Sequence, residues 1–149
     1  MITQFRNQYA FLSNFFPSPV VWEGIEYPTV EHAFQAAKTL RPEIRRAIAA
    51  TPTPSKAKRA GGPRGIVVDF DQAAWDRKKI DVMQTLVRLK FRQNPELASR
   101  LLATGSRRLQ EGNTWNDVFW GVCLKTGQGQ NELGRILEMV RDELRAGVS

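Results

Sequence analysis

The sequence predicts an α+β fold, mainly helical, formed by a single domain over residues 1–149 with a small β-sheet. Its length fits one compact domain with a sizeable core. The hydrophobic fraction of 42% is typical of a globular chain. Apolar residues recur every three or four positions over long stretches, as at Ile80, Met83, Val87 and Phe91, whereas β-branched runs are short.

The first half of the chain predicts a hairpin followed by three helices. The segment "VVWEGIEY" (Val20–Tyr27) has two short apolar runs around a Glu-Gly turn, which indicates a hairpin. Thr29 can cap a helix that runs to about Leu40. Pro42 can open a second helix, and a third short helix is expected over Ser55–Ala60.

The second half predicts one strand, a long helix and two further helices. The β-branched segment "GIVVDF" (Gly65–Phe70) favours a strand. Asp71 can cap a long helix that reaches Gln93, and Pro95–Ala103 is expected to form the next helix. The aromatic segment "TWNDVFWGVCLK" is typical of a loop that leads into a strand. A last helix is predicted over Asn131–Ala146.

Charge and cysteine content limit the classes of function. The formal net charge is +7 and the pI is near 10.1. Such a surface attracts nucleic acid or phosphorylated small molecules, although it also serves simply to keep a protein soluble. One cysteine (Cys123) excludes an internal disulfide, and one Cys with one His argues against a zinc site. We therefore expect a reducing, cytoplasmic location and activity without metal or cofactor.

The first predicted helix carries a narrow polar stripe. An advance of about 100° per residue places Gln35 and Lys38 within about 40° of Glu31. Two interpretations stay open: Glu31 and Lys38 complement the helix dipole, or the stripe is an active face. His32 lies about 100° off the stripe, which favours a structural histidine over a base. The apolar residues gather on the opposite side: Val30, Ala33, Phe34 and Ala37.

Aromatic and amide groups elsewhere suggest ligand binding. Asp117 lies between two tryptophans in "TWNDVFWG", and Trp75 opens the long helix. Tryptophans in a basic domain can stack on a planar base, although core packing is their commoner use. Asn14 offers a side-chain amide. The segment "GQGQNELG" (Gly127–Gly134) offers backbone N–H groups at a helix start, where a phosphate can bind.

These segments together resemble the NADAR, or YbiA-like, family from about Phe11 to Arg141. The pieces are "FLSNFF", "YPTVEHAFQAAK", "WDRKKIDVM", "LKFRQNPELASRLLATG", "DVFWG" and "GQNELGRIL", in the family's order. The chain departs from many relatives at "DQAAW", where they have Arg-Pro-Asp before the tryptophan. It also has one extra residue between Glu111 and Asp117, and a tryptophan at Trp115.

The resemblance implies an N-glycosidase that hydrolyses a C–N bond between a ribose and a base or amine. Members of the family act on phosphorylated riboflavin-pathway intermediates and on ADP-ribose attached to guanine, including guanine in DNA. Carried over residue by residue, the resemblance and the mechanism below make Glu31, Lys38 and Asp117 the expected catalytic residues. The expected substrate-binding residues are Asn14, Phe15, His32, Gln35, Trp75, Trp120, Gly121 and Asn131.

Three functions follow as hypotheses. The first is an N-glycosidase that removes ADP-ribose from guanine, with DNA as the candidate macromolecular partner and no membrane or obligate protein partner. The second is an N-glycosidase that clears phosphorylated riboflavin-biosynthesis intermediates. The third is a module that binds ADP-ribose or nucleic acid without cleaving it, against which the acid/base set argues.

Two catalytic routes stay open at this point. Cleavage of an N-riboside builds positive charge on the anomeric carbon, which the carboxylates of Glu31 and Asp117 would stabilise. Alternatively, a neutral Lys38 would exchange into the ring-opened imine as a Schiff base that water then hydrolyses. The second route needs a lowered lysine pKa, which burial or a nearby cation supplies. The spacing of residues along a helix does not determine the pKa of Lys38.

Overall fold

A computed structural model describes residues 1–147 of the chain. The predicted class is confirmed, because most of the regular structure is helical and the strands are two or three residues long. The expected single sheet is instead two separate two-stranded sheets. The elements are a 3₁₀ helix (Asn7–Leu12), β1 (Val20–Trp22), β2 (Ile25–Tyr27), α1 (Val30–Ala36), α2 (Pro42–Ala49), α3 (Pro54–Ala60), α4 (Gln72–Gln93), α5 (Pro95–Leu102), β3 (Gly112–Asn113), β4 (Val122–Cys123) and α6 (Glu132–Arg145).

The chain divides into two compact units. The α1–α4 unit is Asn14–Gln93 and holds the first sheet with helices α1 to α4. The α5–α6 unit joins Met1–Ser13 to the segment from Asn94 onward and holds β3, β4, α5 and α6. The single domain over residues 1–149 therefore stays a prediction, and its last two residues lie outside the described ones.

The predicted hairpin is confirmed in the α1–α4 unit. Strands β1 and β2 pair antiparallel, with Val20 opposite Tyr27. The two turn residues, Glu23 and Gly24, both have positive φ, as a tight two-residue hairpin turn requires. The side-chain amide of Gln93 bonds both the N–H and the carbonyl of the β1 backbone at Val21, at 2.7 and 2.9 Å. The end of α4 thus covers this edge of the hairpin.

Helix α1 begins as predicted and ends earlier. The Thr29 hydroxyl accepts a hydrogen bond from the backbone N–H of His32 at 3.1 Å, which makes it the N-cap. The α-helical pattern stops at Ala36, not near Leu40, and Lys38 N–H bonds the carbonyl three residues back. A tightened last turn of this kind is common at helix ends. It places Lys38 just beyond the regular helix.

Local start signals position the other helices of this unit. Proline stands at the first positions of α2 and α3, where a missing N–H costs nothing. The carboxylate of Asp71 accepts from Ala74 N–H at 3.1 Å and caps α4 as predicted. Helix α4 buries Met83, Leu86, Val87 and Phe91 at helical spacing. Lys90 is buried beside them, and desolvation lowers its pKa to about 7.

The predicted strand over Gly65–Phe70 is wrong, because this segment is an exposed loop. Its backbone bonds hold it to the helix before it and not to a neighbouring strand. Ile66 N–H donates to the carbonyl of Ala60, the last residue of α3, at 2.8 Å. The β-branched side chains that suggested a strand are largely solvent-exposed, with Val68 71% accessible. The strand pattern therefore did not reflect burial.

The α5–α6 unit is held together around the start of α6. Asn131 precedes this helix with a left-handed backbone, at φ 54°. Its side-chain amide donates to the Leu109 carbonyl at 2.9 Å and accepts from Glu111 N–H at 3.0 Å. A Cβ at Gly134 would collide with that same Leu109 carbonyl, so glycine allows α6 to approach closely. The predicted final helix is confirmed over Glu132–Arg145.

Helices α1 and α3 pack closely at a glycine, which gives a stability prediction. A Cβ at Gly61 would overlap the Gln35 amide oxygen and come within 2.8 Å of the Gln35 Cβ. Gly61→Ala should therefore lower the free energy of unfolding by about 1–3 kcal/mol, measured by chemical denaturation. The control is Gly62→Ala, whose Cβ would meet only the Lys58 and Arg59 carbonyls at 3.3 Å. Equal stability of the two variants would contradict the close packing.

Candidate functional site

A buried hydrogen bond joins two polar side chains of α1. The Gln35 side-chain amide donates through Nε2 to Glu31 Oε2 at 2.6 Å, one helical turn apart. Glu31 is 8% exposed and Gln35 is 4% exposed. Their face of α1 is therefore not a solvated polar surface. Since a carboxylate is costly to bury, this placement favours the functional interpretation of the stripe over the helix-dipole one.

Lys38 follows this pair and is held at its amine. Its Nζ donates to the Gly61 carbonyl at 3.1 Å. The rings of Phe70 and Trp75 lie beside the amine, with centroids 5.8 and 5.9 Å from Nζ. Two aromatic rings and one carbonyl thus form much of its immediate surroundings, and the side chain is half-buried.

The protonation of Lys38 results from competing influences. Burial lowers the pKa of its amine, Glu31 raises it, and Lys58 lowers it again. The net direction is downward from the usual lysine value. This is the condition that the Schiff-base route required and that the sequence left open.

Trp75 supports the lysine from within the core. It is 6% exposed, and its ring centroid lies 4.9 Å from that of Phe34 at a tilt of 57°. The amines of Lys38 and Lys78 each lie 5.9 Å from the same ring. The burial of Trp75 and the contact of its ring with Phe34 favour a role in packing the core. Stacking of Trp75 on a substrate base stays a prediction.

His32 has both ring nitrogens bonded to the protein. Its Nε2 lies 3.0 Å from the Thr51 carbonyl, which only accepts, so Nε2 carries the proton. Nδ1 then accepts from the Thr29 hydroxyl at 2.8 Å. Burial lowers the pKa of His32, which keeps the ring neutral. This arrangement favours the structural histidine that its position off the stripe suggested, and direct substrate contact stays a prediction.

Asn14 and Phe15 precede the hairpin in the same unit. The Asn14 carbonyl accepts from Glu31 N–H at 3.1 Å, in the first turn of α1. Its side-chain amide lies 3.5 Å from the Met83 sulfur. Phe15 is 38% exposed. The contact that Asn14 makes through its backbone helps to fix Glu31, and substrate contact by either residue stays a prediction.

Asp117 belongs to the α5–α6 unit, where it caps a turn. Its Oδ1 accepts from the N–H groups of Phe119 and Trp120 at 3.2 and 3.0 Å. Asn113 braces the same residue twice: its Nδ2 donates to the Asp117 carbonyl at 2.9 Å, and its Oδ1 accepts from Asp117 N–H at 3.0 Å. These bonds give "DVFWG" its shape. A catalytic role of Asp117 stays a prediction.

The remaining predicted site residues lie in the same turn or at α6. The Trp120 ring meets Phe119 edge-on, with centroids 4.7 Å apart. A Cβ at Gly121 would collide with the carboxylate of Glu111, so this glycine permits close approach of an acidic side chain. Asn131 uses its amide to join Leu109 to Glu111, as described above. Substrate binding by Trp120, Gly121 and Asn131 stays a prediction.

Several residues that contribute to this geometry were not predicted from the sequence. Gly61 supplies the carbonyl that holds Lys38, Lys58 lowers its pKa, and Phe70 lies beside it. They are 20 or more positions away from Lys38, so no helical spacing links them to it. Asn113 was missed because its two bonds with Asp117 depend on the shape of a turn.

Within residues 1–147, His, Cys, Asp and Glu side chains form no group of three placed to hold a metal ion. Over the same residues, every helix is too short or too polar to cross a bilayer.

Comparison with known proteins places this arrangement in a family. The N-glycosidase YbiA of Escherichia coli (strain K12) is 37% identical over 138 residues, which cover 93% of this chain and 83% of that protein. A riboflavin biosynthesis protein of Vibrio vulnificus (strain YJ016) is 36% identical over 92% of this chain, which spans only 36% of that longer protein. The NMR structure of E. coli YbiA superposes with a TM-score of 0.83 at 34% identity, covering 99% of this chain and 86% of that one.

The family model agrees with these likenesses along almost the whole chain. The NADAR domain model matches residues 2–145. The match extends over both compact units and contains all the predicted site residues. The chain therefore belongs to the NADAR family.

Proposed function

We propose that this protein is an N-glycosidase that hydrolyses the C–N bond of a phosphorylated N-riboside. The observation that carries the proposal is the half-buried Lys38, with its lowered pKa, next to the buried Glu31–Gln35 pair. A nucleophilic amine and a fixed carboxylate can together cleave a bond at an anomeric carbon. The N-glycosidase name of the E. coli relative supports the same reaction class.

Lys38 acts as the nucleophile in the proposed mechanism. The C1–O4′ bond of the ribose ring breaks and O4′ takes up a proton from water, so that C1 is joined to the base nitrogen as a protonated imine. The neutral Lys38 amine adds to C1, the C1–base bond breaks, and the base nitrogen leaves with a proton. Water then adds to the lysine imine, which releases the ribose aldehyde and restores the amine. The lowered pKa of Lys38 increases the fraction of neutral amine at a given pH, which favours this role.

Glu31 stabilises the positive charge that develops at C1. Its carboxylate is fixed by the 2.6 Å bond from Gln35 and by its position in the first turns of α1. A charge held in place in a site that excludes water stabilises a transition state more strongly than a mobile one in water. The Glu31–Gln35 bond therefore serves to position the carboxylate.

Exposed cations near Lys38 favour a phosphorylated substrate. Helix α3 and the loop after it carry four exposed cations in ten residues: Lys56, Lys58, Arg59 and Arg64. Their field, added to the net charge of +7, attracts phosphate groups. ADP-ribose on guanine, free or in DNA, fits this charge. The name of the Vibrio relative favours a second candidate, a phosphorylated intermediate of riboflavin biosynthesis.

A direct assay separates these substrates. The protein is incubated with an ADP-ribosylated guanine oligonucleotide and, separately, with the phosphorylated riboflavin intermediate. Release of ADP-ribose supports the first substrate, and release of ribose phosphate supports the second. Binding of either substrate without release of a product would contradict the proposed enzyme and would indicate a binding module instead.

The nucleophilic role of Lys38 predicts a covalent intermediate. Borohydride added during turnover should reduce the lysine imine and leave a ribose adduct on the wild-type protein, detected by peptide mass spectrometry at Lys38. Lys38→Arg keeps the positive charge but cannot form the imine, so it should give no adduct and almost no turnover. Absence of an adduct together with substantial turnover by Lys38→Arg would leave the carboxylates to act alone.

The role of Glu31 predicts a separation of binding from catalysis. Glu31→Gln removes the charge and keeps the shape, so turnover should fall by about 100-fold or more while ligand still binds. Gln35→Glu is unsuitable as a control because it would place two carboxylates together. A calorimetric titration with ADP-ribose should show that the variant still binds ligand. Turnover of Glu31→Gln near the wild-type rate would contradict a catalytic role and favour the helix-dipole interpretation of Glu31.

The field of Lys58 on Lys38 predicts a shift in the pH profile. If neutral Lys38 is the nucleophile, kcat/KM rises with pH as the amine loses its proton. Lys58 lowers the pKa of Lys38, so Lys58→Gln should move this rise to higher pH. The matched control is Lys56→Gln on the same helix. The difference should shrink in high salt, and an unshifted Lys58→Gln profile would contradict the assignment.

A further inference from the structure

The loop between α3 and α4 is anchored at three points. At its start, Ile66 N–H donates to the Ala60 carbonyl at 2.8 Å. In its second half, Asp69 Oδ2 accepts from Leu40 N–H at 3.1 Å, and Thr39 also bonds the Asp69 side chain. At its end, Asp71 caps α4. The loop is therefore a fixed part of the α1–α4 unit and not a free tether.

Two of these anchors flank Phe70 on either side. Asp69 is tied to Thr39 and Leu40, the two residues that follow Lys38 along the chain. Asp71 belongs to the start of α4. The backbone at Phe70 is consequently held by hydrogen bonds on both sides, which explains how a loop residue can keep its place beside the amine.

The Phe70 ring is exposed although it lies beside a buried site. Its centroid is 5.8 Å from Lys38 Nζ, and the residue is 41% exposed. Trp75, at almost the same distance from Nζ, is 6% exposed. Exposed apolar rings gain free energy when a ligand covers them, and a planar base covers a ring face well. Of the two rings beside Lys38, Phe70 therefore has the more surface to offer to a ligand.

We propose that Phe70 is the residue that stacks against the base of the substrate and presents the base–ribose bond to Lys38. This inference deepens the proposed function and rests on it for the reaction. The ligand class is an aromatic heterocycle joined to a phosphorylated ribose, with two-ring purines favoured over one-ring pyrimidines because they cover more of the phenyl ring. Stacking tolerates different bases, since every base has a π-face.

Val68 provides a matched control in the same loop. It is 71% exposed, two residues before Phe70, and it lies outside the contacts that anchor the loop. Val68→Ala removes apolar surface without touching an aromatic face. Phe70→Leu keeps an apolar side chain of similar reach over Lys38, and Phe70→Trp restores a ring.

The test measures binding of guanosine 5′-monophosphate and cytidine 5′-monophosphate by calorimetry to the wild type and these variants. Phe70→Leu should weaken binding of the guanosine nucleotide about tenfold, as expected for loss of one stacked base. Its affinity for the cytidine nucleotide should fall less, so that the preference for purine shrinks. Val68→Ala should bind both within about twofold of wild type, and Phe70→Trp should retain the purine preference.

Turnover of the ADP-ribosylated guanine oligonucleotide provides an independent readout. Phe70→Leu should raise KM with an unchanged pH midpoint, because leucine keeps an uncharged apolar side chain beside the Lys38 amine. Equal nucleotide affinity of Phe70→Leu and wild type, or no detectable binding by wild type at millimolar concentration, would overturn the stacking role. Absence of wild-type turnover with a tenfold loss of nucleotide binding in Phe70→Leu would overturn the proposed reaction and support the base-binding site.

Discussion

The bond from Gln35 to Glu31 is the interaction on which the rest of the α1–α4 unit depends. Burial of a carboxylate is costly unless neighbouring groups hydrogen-bond it, so Gln35 must hold its place beside Glu31. Helix α1 contacts all the other elements of the unit, and every residue from Val30 to Ala36 is buried. Gln35 in this place leaves no room for a side chain at Gly61, whose Cβ would overlap the Gln35 amide oxygen.

The same crowding determines the chemistry of Lys38. Its stem leaves α1 where the helix tightens after Ala36, and its amine reaches the Gly61 carbonyl. Burial then opposes the charge on the amine, whereas Glu31 favours it, and the balance lies with burial. An amine that remains uncharged below the usual lysine pKa is a better nucleophile at moderate pH. One packing arrangement thus supplies both the fixed carboxylate and the amine that we propose as the nucleophile.

Local signals in the sequence were sufficient for most of the fold. The cap at Thr29, the cap at Asp71 and the hairpin turn all depend on residues within four positions, and each is confirmed. The strand over Gly65–Phe70 failed because strand pairing needs a partner edge, which local sequence does not specify. The pKa of Lys38 was equally out of reach, since it depends on burial and on Lys58, 20 positions away.

The failed strand prediction and the position of Phe70 have one cause. An apolar β-branched segment is normally buried in a sheet. This segment is instead an exposed loop, held in place by Asp69, which accepts a hydrogen bond from Leu40 N–H. Stability alone does not favour such exposure, because a polar loop would serve equally well there. Functional sites are where local preference and global fold are expected to disagree. Here the exposed segment lies beside Lys38. The Phe70 ring is therefore accessible to a ligand next to the Lys38 amine, which we propose reacts with that ligand.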